Sequence, residues 1–309
     1  MSAMPAATHA IALDLGGTDL KFARVARDGS VLESGHEPSR ALEGPDALLG
    51  VLASAARRFA PGACAVGIGC PGVIDPRSGA LVDVTPHLSL ERDFPLAAHL
   101  SRELGLAVHA DNDANLAALG EVLAGAARGA RVSVTITVGT GIGCGIVEGG
   151  RVLRGAWGGA GEISHAGLGS TGPACACGVV GCLEPLSGGE GLTLRAREAG
   201  LAATGARDVF AAASAGDAVA ARLVETMTDA LGRQVALVVQ VVNPEVVVIG
   251  GGVALAGGAW LAAVGEAIRR YAQPSHTRAL RVVPAALGNR AGVVGAGLFA
   301  WERAAAAGA

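Results

Sequence analysis

Twice along this chain an apolar run that reads as a buried strand stops at a glycine–threonine turn. HAIALDLG (9–16) runs into Gly16-Gly17-Thr18, and RVSVTITVG (131–139) runs into Gly139-Thr140-Gly141. Each start is followed by strand and helix patterns in alternation. After the first come DLKFARVAR and SVLESGHE, which read as an antiparallel meander, and then a helix over 45–60, where Leu48, Leu52, Ala55, Ala56 and Phe59 recur at helical spacing. CAVGIGCPG reads as a strand entering a turn, 95–104 as a helix, LAVHAD as a strand and ANLAALGEVLAG as a helix. After the second start comes GIVEGGRVL, a hairpin turning at Gly149-Gly150. Helices across 189–242, a strand in EVVVIGGG, a helix over 258–272, a strand in LRVVPAAL and a helix over 291–305 complete the order. A chain that opens the same way twice is expected to form two α/β lobes, with ligands at the carboxyl ends of strands and between the lobes. The predicted division is 1–112 plus 292–309 for a smaller lobe and 113–291 for a larger one.

Composition narrows the partners. Net charge is −3, Lys21 is the single lysine, and the arginines are scattered, so the sequence offers no basic stripe for nucleic acid. Forty-eight glycines, far above the usual share of about 7%, cluster after apolar segments, where backbone must come close to a ligand. The stretch 246–265 has no charged residue, but its six glycines and the preceding Asn243-Pro244 read as strand, turn and helix rather than a membrane span. The amino terminus lacks a basic region before its apolar run and reaches Asp14 quickly, which argues against a secretory signal. The expectation is a cytoplasmic protein with reduced thiols and no membrane partner.

Five motifs carry chemistry. In Asp14-Leu15-Gly16-Gly17-Thr18, backbone N–H groups and a hydroxyl can cradle phosphate oxygens while Asp14 holds Mg²⁺. Gly139-Thr140-Gly141-Ile142-Gly143 repeats that arrangement, and Gly250-Gly251-Gly252 ends a strand in a turn suited to adenosine. Asn112-Asp113-Ala114-Asn115 lies where a predicted strand meets a predicted helix. Asp113 there can take a proton from a substrate hydroxyl, with Asn112 holding a neighbouring one; equally, both are favoured capping residues. Last, Glu162-Ile163-Ser164-His165 followed by Cys175, Cys177 and Cys182 matches a closed Cys₃His set, a structural zinc site in a loop over 165–184.

With these motifs in order, from NDAN and GTGIG to GEISH and CACGVVGCLE, the chain resembles the ROK family (repressors, uncharacterised frames, sugar kinases) of the actin/hexokinase-like ATPase superfamily. The resemblance implies a two-lobed ribonuclease H/actin-like fold with an interlobe cleft and a zinc-binding loop. It implies ATP-dependent phosphorylation of a hexose, glucose to glucose 6-phosphate first, with N-acetylmannosamine, N-acetylglucosamine and other hexoses as alternatives. Asp113 would be the general base. Gly72, Asn112, Glu162, His165 and Glu184 would hold the sugar. Asp14, Gly16, Gly17, Thr18, Gly139, Thr140, Gly141, Gly250, Gly251 and Gly252 would hold ATP and Mg²⁺, and His165, Cys175, Cys177 and Cys182 the zinc. A homodimer or homotetramer is implied as well. The rival, a sugar-sensing ROK protein without catalysis, is disfavoured by the intact Asp113 and both turns; the DNA-binding members carry a winged helix–turn–helix before the first turn. Three positions depart from the family pattern: Asp19 where Lys, Asn or His is common, Ser164 where Gly is usual, and His87 where many members have Asn.

Overall fold

The computed structural model of the chain describes residues 7–307 except 84, 168, 170 and 171. It divides into two compact units: residues 1–128, 145–160 and 290–309, and residues 129–144 and 161–289.

The first unit is built on strands β1 (His9–Leu15), β2 (Asp19–Val25), β3 (Val31–Pro38), β4 (Ala63–Cys70) and β5 (Val108–Asn112). They form a five-stranded sheet in the order β3-β2-β1-β4-β5. The meander β1-β2-β3 is antiparallel, while β1-β4 and β4-β5 are parallel. Strand alternation decides what covers each face. Ile11, Leu13 and Leu15 with Val66, Ile68 and Cys70 point to one side, where helices α1 (Pro45–Arg57) and α2 (Leu96–Leu104) supply Leu48, Leu52, Leu96 and Leu100. The other side presents Ala10 and Ala65, with Gly67 and Gly69 following Ala65 in β4. Small residues there let helix backbone come close. A Cβ at Gly67 would run into the carbonyl oxygen of Ala296, one turn from the middle of the last helix.

The helix that follows β5, α3 (Asp113–Ala124), lies on this glycine-lined side against the carboxyl-terminal helix (Ala291–Ala307). The two meet backbone to backbone: a Cβ at Gly295 would collide with the Leu116 carbonyl, and one at Gly120 would lie 2.6 Å from the Ala291 oxygen. A predicted division at 112/113 would separate these partners. The compact units part after Arg128 instead, because α3 shares its packing surface with the carboxyl-terminal helix.

The second unit contains β6 (Val132–Val138) and the start of β7 (Ile142–Glu148); the end of β7 and β8 (Arg151–Val152) belong to the first. Helices α4 (Leu183–Ser187), α5 (Gly189–Glu198), α6 (Ala206–Ser214) and α7 (Ala218–Val242) follow, then β9 (Val246–Gly250), α8 (Gly258–Tyr271), α9 (Pro274–Thr277) and β10 (Arg281–Pro284); the carboxyl-terminal helix is α10. The second sheet has the order β10-β9-β6-β7-β8. Reversed, this is the order of the first sheet, with β6 in the place of β1 and β9 in the place of β4, again parallel. The duplication read from the two glycine–threonine starts is therefore a duplication of topology. Asp217 caps α7 by accepting from the N–H groups of Val219 and Ala220, both at 2.9 Å. Asn243 ends it in the left-handed conformation, and Pro244 follows. Val246–Gly250 is wholly buried, as a parallel strand covered on both faces should be. Among the described residues no helix is long and apolar enough to cross a membrane, so 246–265 is strand, turn and helix as expected.

Candidate active site

In the first unit the chemistry gathers at the carboxyl ends of β1, β4 and β5. Asp14, Gly69 and Asp111 lie side by side in register. Gly69 lets Asp14 and the start of α3 come close: the place a Cβ would take is 3.6 Å from Asp14 Oδ1 and 3.4 Å from the Asp113 Cα. Gly292, at the start of α10, leaves room for Asp14 from below, since a Cβ there would sit 2.7 Å from its carboxyl group. Burial raises the Asp14 pKa above the usual carboxylate value, and Lys21, 3.6 Å away, opposes that rise.

The strand-to-helix junction shows which of Asn112 and Asp113 is the cap. Asn112 is the cap: its Oδ1 accepts from the N–H groups of Ala114 at 2.9 Å and Asn115 at 3.1 Å. Its amide also donates to the Gly72 carbonyl at 3.1 Å, which ties the turn after β4 to the turn after β5. Asn112 thus spends its acceptor and one N–H on backbone, leaving one N–H for a ligand. Asp113 is the first residue of α3 and shares the Ala114 N–H through Oδ1 at 2.8 Å. Behind it, Asp111 is 3% exposed and paired with Arg154, at 2.7 Å from Nε and 2.6 Å from Nη2. The other oxygen of Asp111 accepts from Asn115 Nδ2 at 3.0 Å and from the Asn112 N–H at 2.8 Å. Sequence reading passed over Arg154 and Asp111, because an arginine forty-three residues from its carboxylate leaves no local spacing signal.

The first glycine–threonine turn is held by its own backbone, Gly16 N–H to the Asp19 carbonyl at 2.8 Å, and by Ser39, whose hydroxyl donates to the Gly17 carbonyl at 3.1 Å. The Thr18 hydroxyl donates to the Asp19 carboxylate at 3.2 Å, so the departure at Asp19 engages the hydroxyl expected to meet phosphate. His87 lies over the same turn, its Nδ1 3.5 Å from the Cβ position of Gly17.

In the second unit the Gly139–Gly141 turn is docked from below by the amino end of α5. The Gly189 and Glu190 N–H groups donate to the Gly139 and Thr140 carbonyls at 2.9 and 3.0 Å. Gly251, at φ +85, lies against the end of β6, where a side chain would meet Val138 backbone. The glycines at 188–189 were not singled out in the sequence; a pair just before a helix is also an ordinary loop, so only the fold shows that they seat the turn. Glu184 closes the arrangement. Its Oε2 accepts from the Ile142 N–H at 3.1 Å and occupies the space that a Cβ at Gly141 would need.

Glu162, His165 and Glu184 converge in this unit. Burial raises the Glu162 pKa, the charge of Glu184 raises it further, and His165 opposes. His165 Nε2 is 3.9 Å from Glu162 Oε2. The Ile163 carbonyl between them is anchored by Gln234 Nε2 of α7 at 3.1 Å. Cys144, buried beneath, has its thiol pushed up to about 12 by burial and by the Glu162 charge.

The other side of His165 faces the cysteines. Its Nδ1 is 3.5 Å from Cys175 Sγ, Cys177 Sγ is 3.5 Å from Cys182 Sγ, and all four ligand atoms lie within 4.8 Å of one another. Zn–S bonds near 2.3 Å and Zn–N bonds near 2.0–2.1 Å place tetrahedral ligand atoms about 3.5–3.8 Å apart. The donor set and its spacing fit one zinc ion.

The ROK family model matches residues 10–303. The chain belongs to the ROK family. It is 36% identical to a glucokinase of Halalkalibacterium halodurans over 309 aligned positions, covering 93% of each chain. It is 40% identical to an N-acetylmannosamine kinase of Citrobacter koseri over 249 positions, covering 80% of this chain and 84% of that one. Among solved structures, a ROK family glucokinase from Streptomyces griseus, crystallised with glucose and AMPPNP, superposes with a TM-score of 0.84 at 28% identity, over 95% of this chain and 99% of that one. Within the ROK frame the resemblance drawn from NDAN, GTGIG and the cysteine motif holds along nearly the whole chain.

Proposed function

We propose that this ROK protein is an ATP-dependent sugar kinase that transfers the γ-phosphoryl group to a hexose hydroxyl, with glucose as the first candidate and Asp113 as the general base. The observation that carries the reading is the approach of the Asp14 carboxyl group and the Asp113 backbone to Gly69 at the strand ends, with Asn112 as the helix cap. One carboxylate at a strand end suits hydrated Mg²⁺, a hard cation that takes oxygen ligands. The other, at the first turn of α3, suits proton transfer. Phosphoryl transfer asks for positioning and charge neutralisation more than covalent chemistry. The two glycine turns offer backbone N–H groups to phosphates. Glu162, Glu184 and the Nε2 of His165 offer acceptors and a donor to hydroxyls, and Asn112 one remaining N–H. We read the duplicated strand order as a ribonuclease H/actin-like fold, and the cytoplasm, where ATP and reduced thiols coexist, as the compartment.

Zinc belongs to the same reading. His165 Nδ1, Cys175, Cys177 and Cys182 would hold it, and it would supply order to a glycine-rich loop. Fixing one ring nitrogen sets the tautomer of His165 and leaves Nε2 beside Glu162 for a sugar hydroxyl.

The Citrobacter relative supports a second acceptor, N-acetylmannosamine. ADP release measured with and without each member of a hexose panel that includes both sugars decides among them. Sugar-dependent ADP release is expected, strongest with glucose. If N-acetylmannosamine gives the higher kcat/KM, the acceptor assignment changes; no sugar-dependent release with any hexose overturns the kinase reading.

A further inference from the structure

On the first unit, beside the edge strand β5, a pocket of about 70 Å³ is lined by Arg151 and Arg154 from the β8 segment, Leu119 of α3, and Phe299, Glu302 and Arg303 of α10. Three arginines thus line a space worth about two water molecules. Glu302 is the one carboxylate of the lining. Arg154 is already matched by Asp111. The lining therefore keeps an excess of positive charge.

The arginines are set rather than loose. The Cζ atoms of Arg303 and Arg154 stand 5.0 and 5.4 Å from the centroid of the same buried ring, Phe299. A guanidinium held near an aromatic ring is a planar fork that loses less freedom when it takes an oxyanion. Below them His109 meets the edge of Phe299 at 6.2 Å, and burial together with the charge of Arg303 lowers its pKa, so the imidazole adds no charge of its own at neutral pH. Like charges gathered in a partly closed space repel, and a dianion placed among them removes that cost.

We propose that this pocket binds the phosphoryl group of a small anion and, through Arg154, is linked to the turn that carries Asp113. The volume admits a tetrahedral head group and leaves the rest of a larger molecule outside. The link is short. Arg154 holds Asp111, Asp111 holds Asn112 and Asn115, and Asp113 lies between those two residues. An anion that draws Arg154 toward the pocket loosens its grip on Asp111, and by reciprocity any ligand that fixes the Asp113 turn changes anion affinity by the same factor. Binding stands independently of the kinase reading; the effect on turnover rests on it.

The test compares wild-type protein with the R151Q/R303Q variant, neither position belonging to the machinery described above. Melting temperature is followed against orthophosphate at fixed ionic strength, with acetate as comparator. Wild type should show a saturable rise that the variant loses, with phosphate affinity falling roughly tenfold per arginine removed. An equal rise in both proteins places the phosphate elsewhere, at the glycine turns for instance, and overturns the proposal; so does no rise in wild type. Acetate matching phosphate overturns the phosphoryl assignment. In the second arm, phosphate should alter wild-type sugar-dependent turnover over the range that shifts the melting temperature, and leave the variant unaffected. A melting shift without that kinetic change overturns the link to Asp113. Absence of any sugar-dependent turnover leaves the melting arm to decide on the pocket.

Discussion

The turn after β1 and the turn after β6 occupy the same place in two copies of one strand order, yet they are furnished differently. Two residues before its first glycine the first copy has Asp14; the second has Thr137. The neighbouring strand end is a glycine in both, Gly69 beside Asp14 and Gly250 beside Thr137. A Gly–Gly–Thr turn followed by Asp19 answers a Gly–Thr–Gly turn with no carboxylate of its own. The scaffold was kept and the charge was not. In the first unit acidic groups stand on the strand ends themselves, Asp14 on β1 and Asp113 just past β5. In the second, the strand ends are neutral, and carboxylates arrive from an insertion, Glu162 and Glu184, with the Cys₃His cluster beside them. A strand end places a group through the rigidity of the sheet. An insertion rich in glycine must borrow its rigidity, and a metal held by the Cys₃His cluster would lend it.

The sharpest break in this comparison comes from Asp113. Asp113→Asn keeps the cap, which belongs to Asn112, and removes the proposed base. Turnover is expected to fall ~10²–10⁴-fold, with sugar affinity little changed. Steady-state kinetics with a melting curve as control checks it. Turnover near wild type with an intact fold would return Asp113 to a structural role.

Next in size is the metal. One zinc per chain is expected by elemental analysis. Stripping it, or Cys177→Ala, should raise the KM for sugar roughly 10–100-fold, the usual cost of lost support around a site, and open the loop to proteolysis, while ATP affinity stays close to its starting value. Equal loss on both substrates would show that the insertion is not the separate device the comparison makes it.

How much of this was legible in the sequence follows the same divide. Strand alternation and the order of elements were readable because β1, β4, β6 and β9 are buried and apolar, so their pattern is set by the core they enter. The grouping of His165, Cys175, Cys177 and Cys182 was readable because its members recur at short spacing. What stayed hidden depends on distance along the chain. The grip of Arg154 on Asp111, the seat of the second turn on Gly188-Gly189, and the helix pairing that moves the unit boundary past α3 each join segments whose meeting no local pattern records. Asn112 and Asp113 fall between: the residue types fit a cap and a base equally, and only hydrogen-bond geometry assigned the cap to one of them.

A moderate effect is expected at Gly141. The Glu184 carboxylate occupies the place of its missing side chain while accepting from the Ile142 N–H. Gly141→Ala must push Glu184 out of that bond. A carboxylate–amide hydrogen bond is worth about 1.5–3 kcal/mol, part of which the displaced group regains from water, so the KM for sugar should rise about tenfold. The same substitution at Gly17 meets only His87, at 3.5 Å, and should be far milder. Parallel kinetics on the two variants measures whether Glu184 acts on sugar binding through the second turn.

The smallest effect separates the turns by charge alone. Asp19 is exposed and accepts the Thr18 hydroxyl at 3.2 Å, in a turn whose partner in the second unit carries no carboxylate. A negative charge at this place opposes a triphosphate, but solvent screens it. Asp19→Asn keeps an acceptor for Thr18 and removes the charge. The KM for ATP should fall about two- to fivefold at low salt, and the difference between variant and wild type should close as ionic strength rises through a few tenths molar. Titrating salt in the kinetic assay separates this from a packing effect, which salt would not erase. A variant whose ATP affinity is unchanged at low salt would mean that the first turn meets phosphate away from Asp19, with the hydroxyl of Thr18 kept out of the contact. One whose affinity drops would mean that Asp19 helps to hold the metal, and that the acidic character of the first unit reaches into its turn as well as its strand ends.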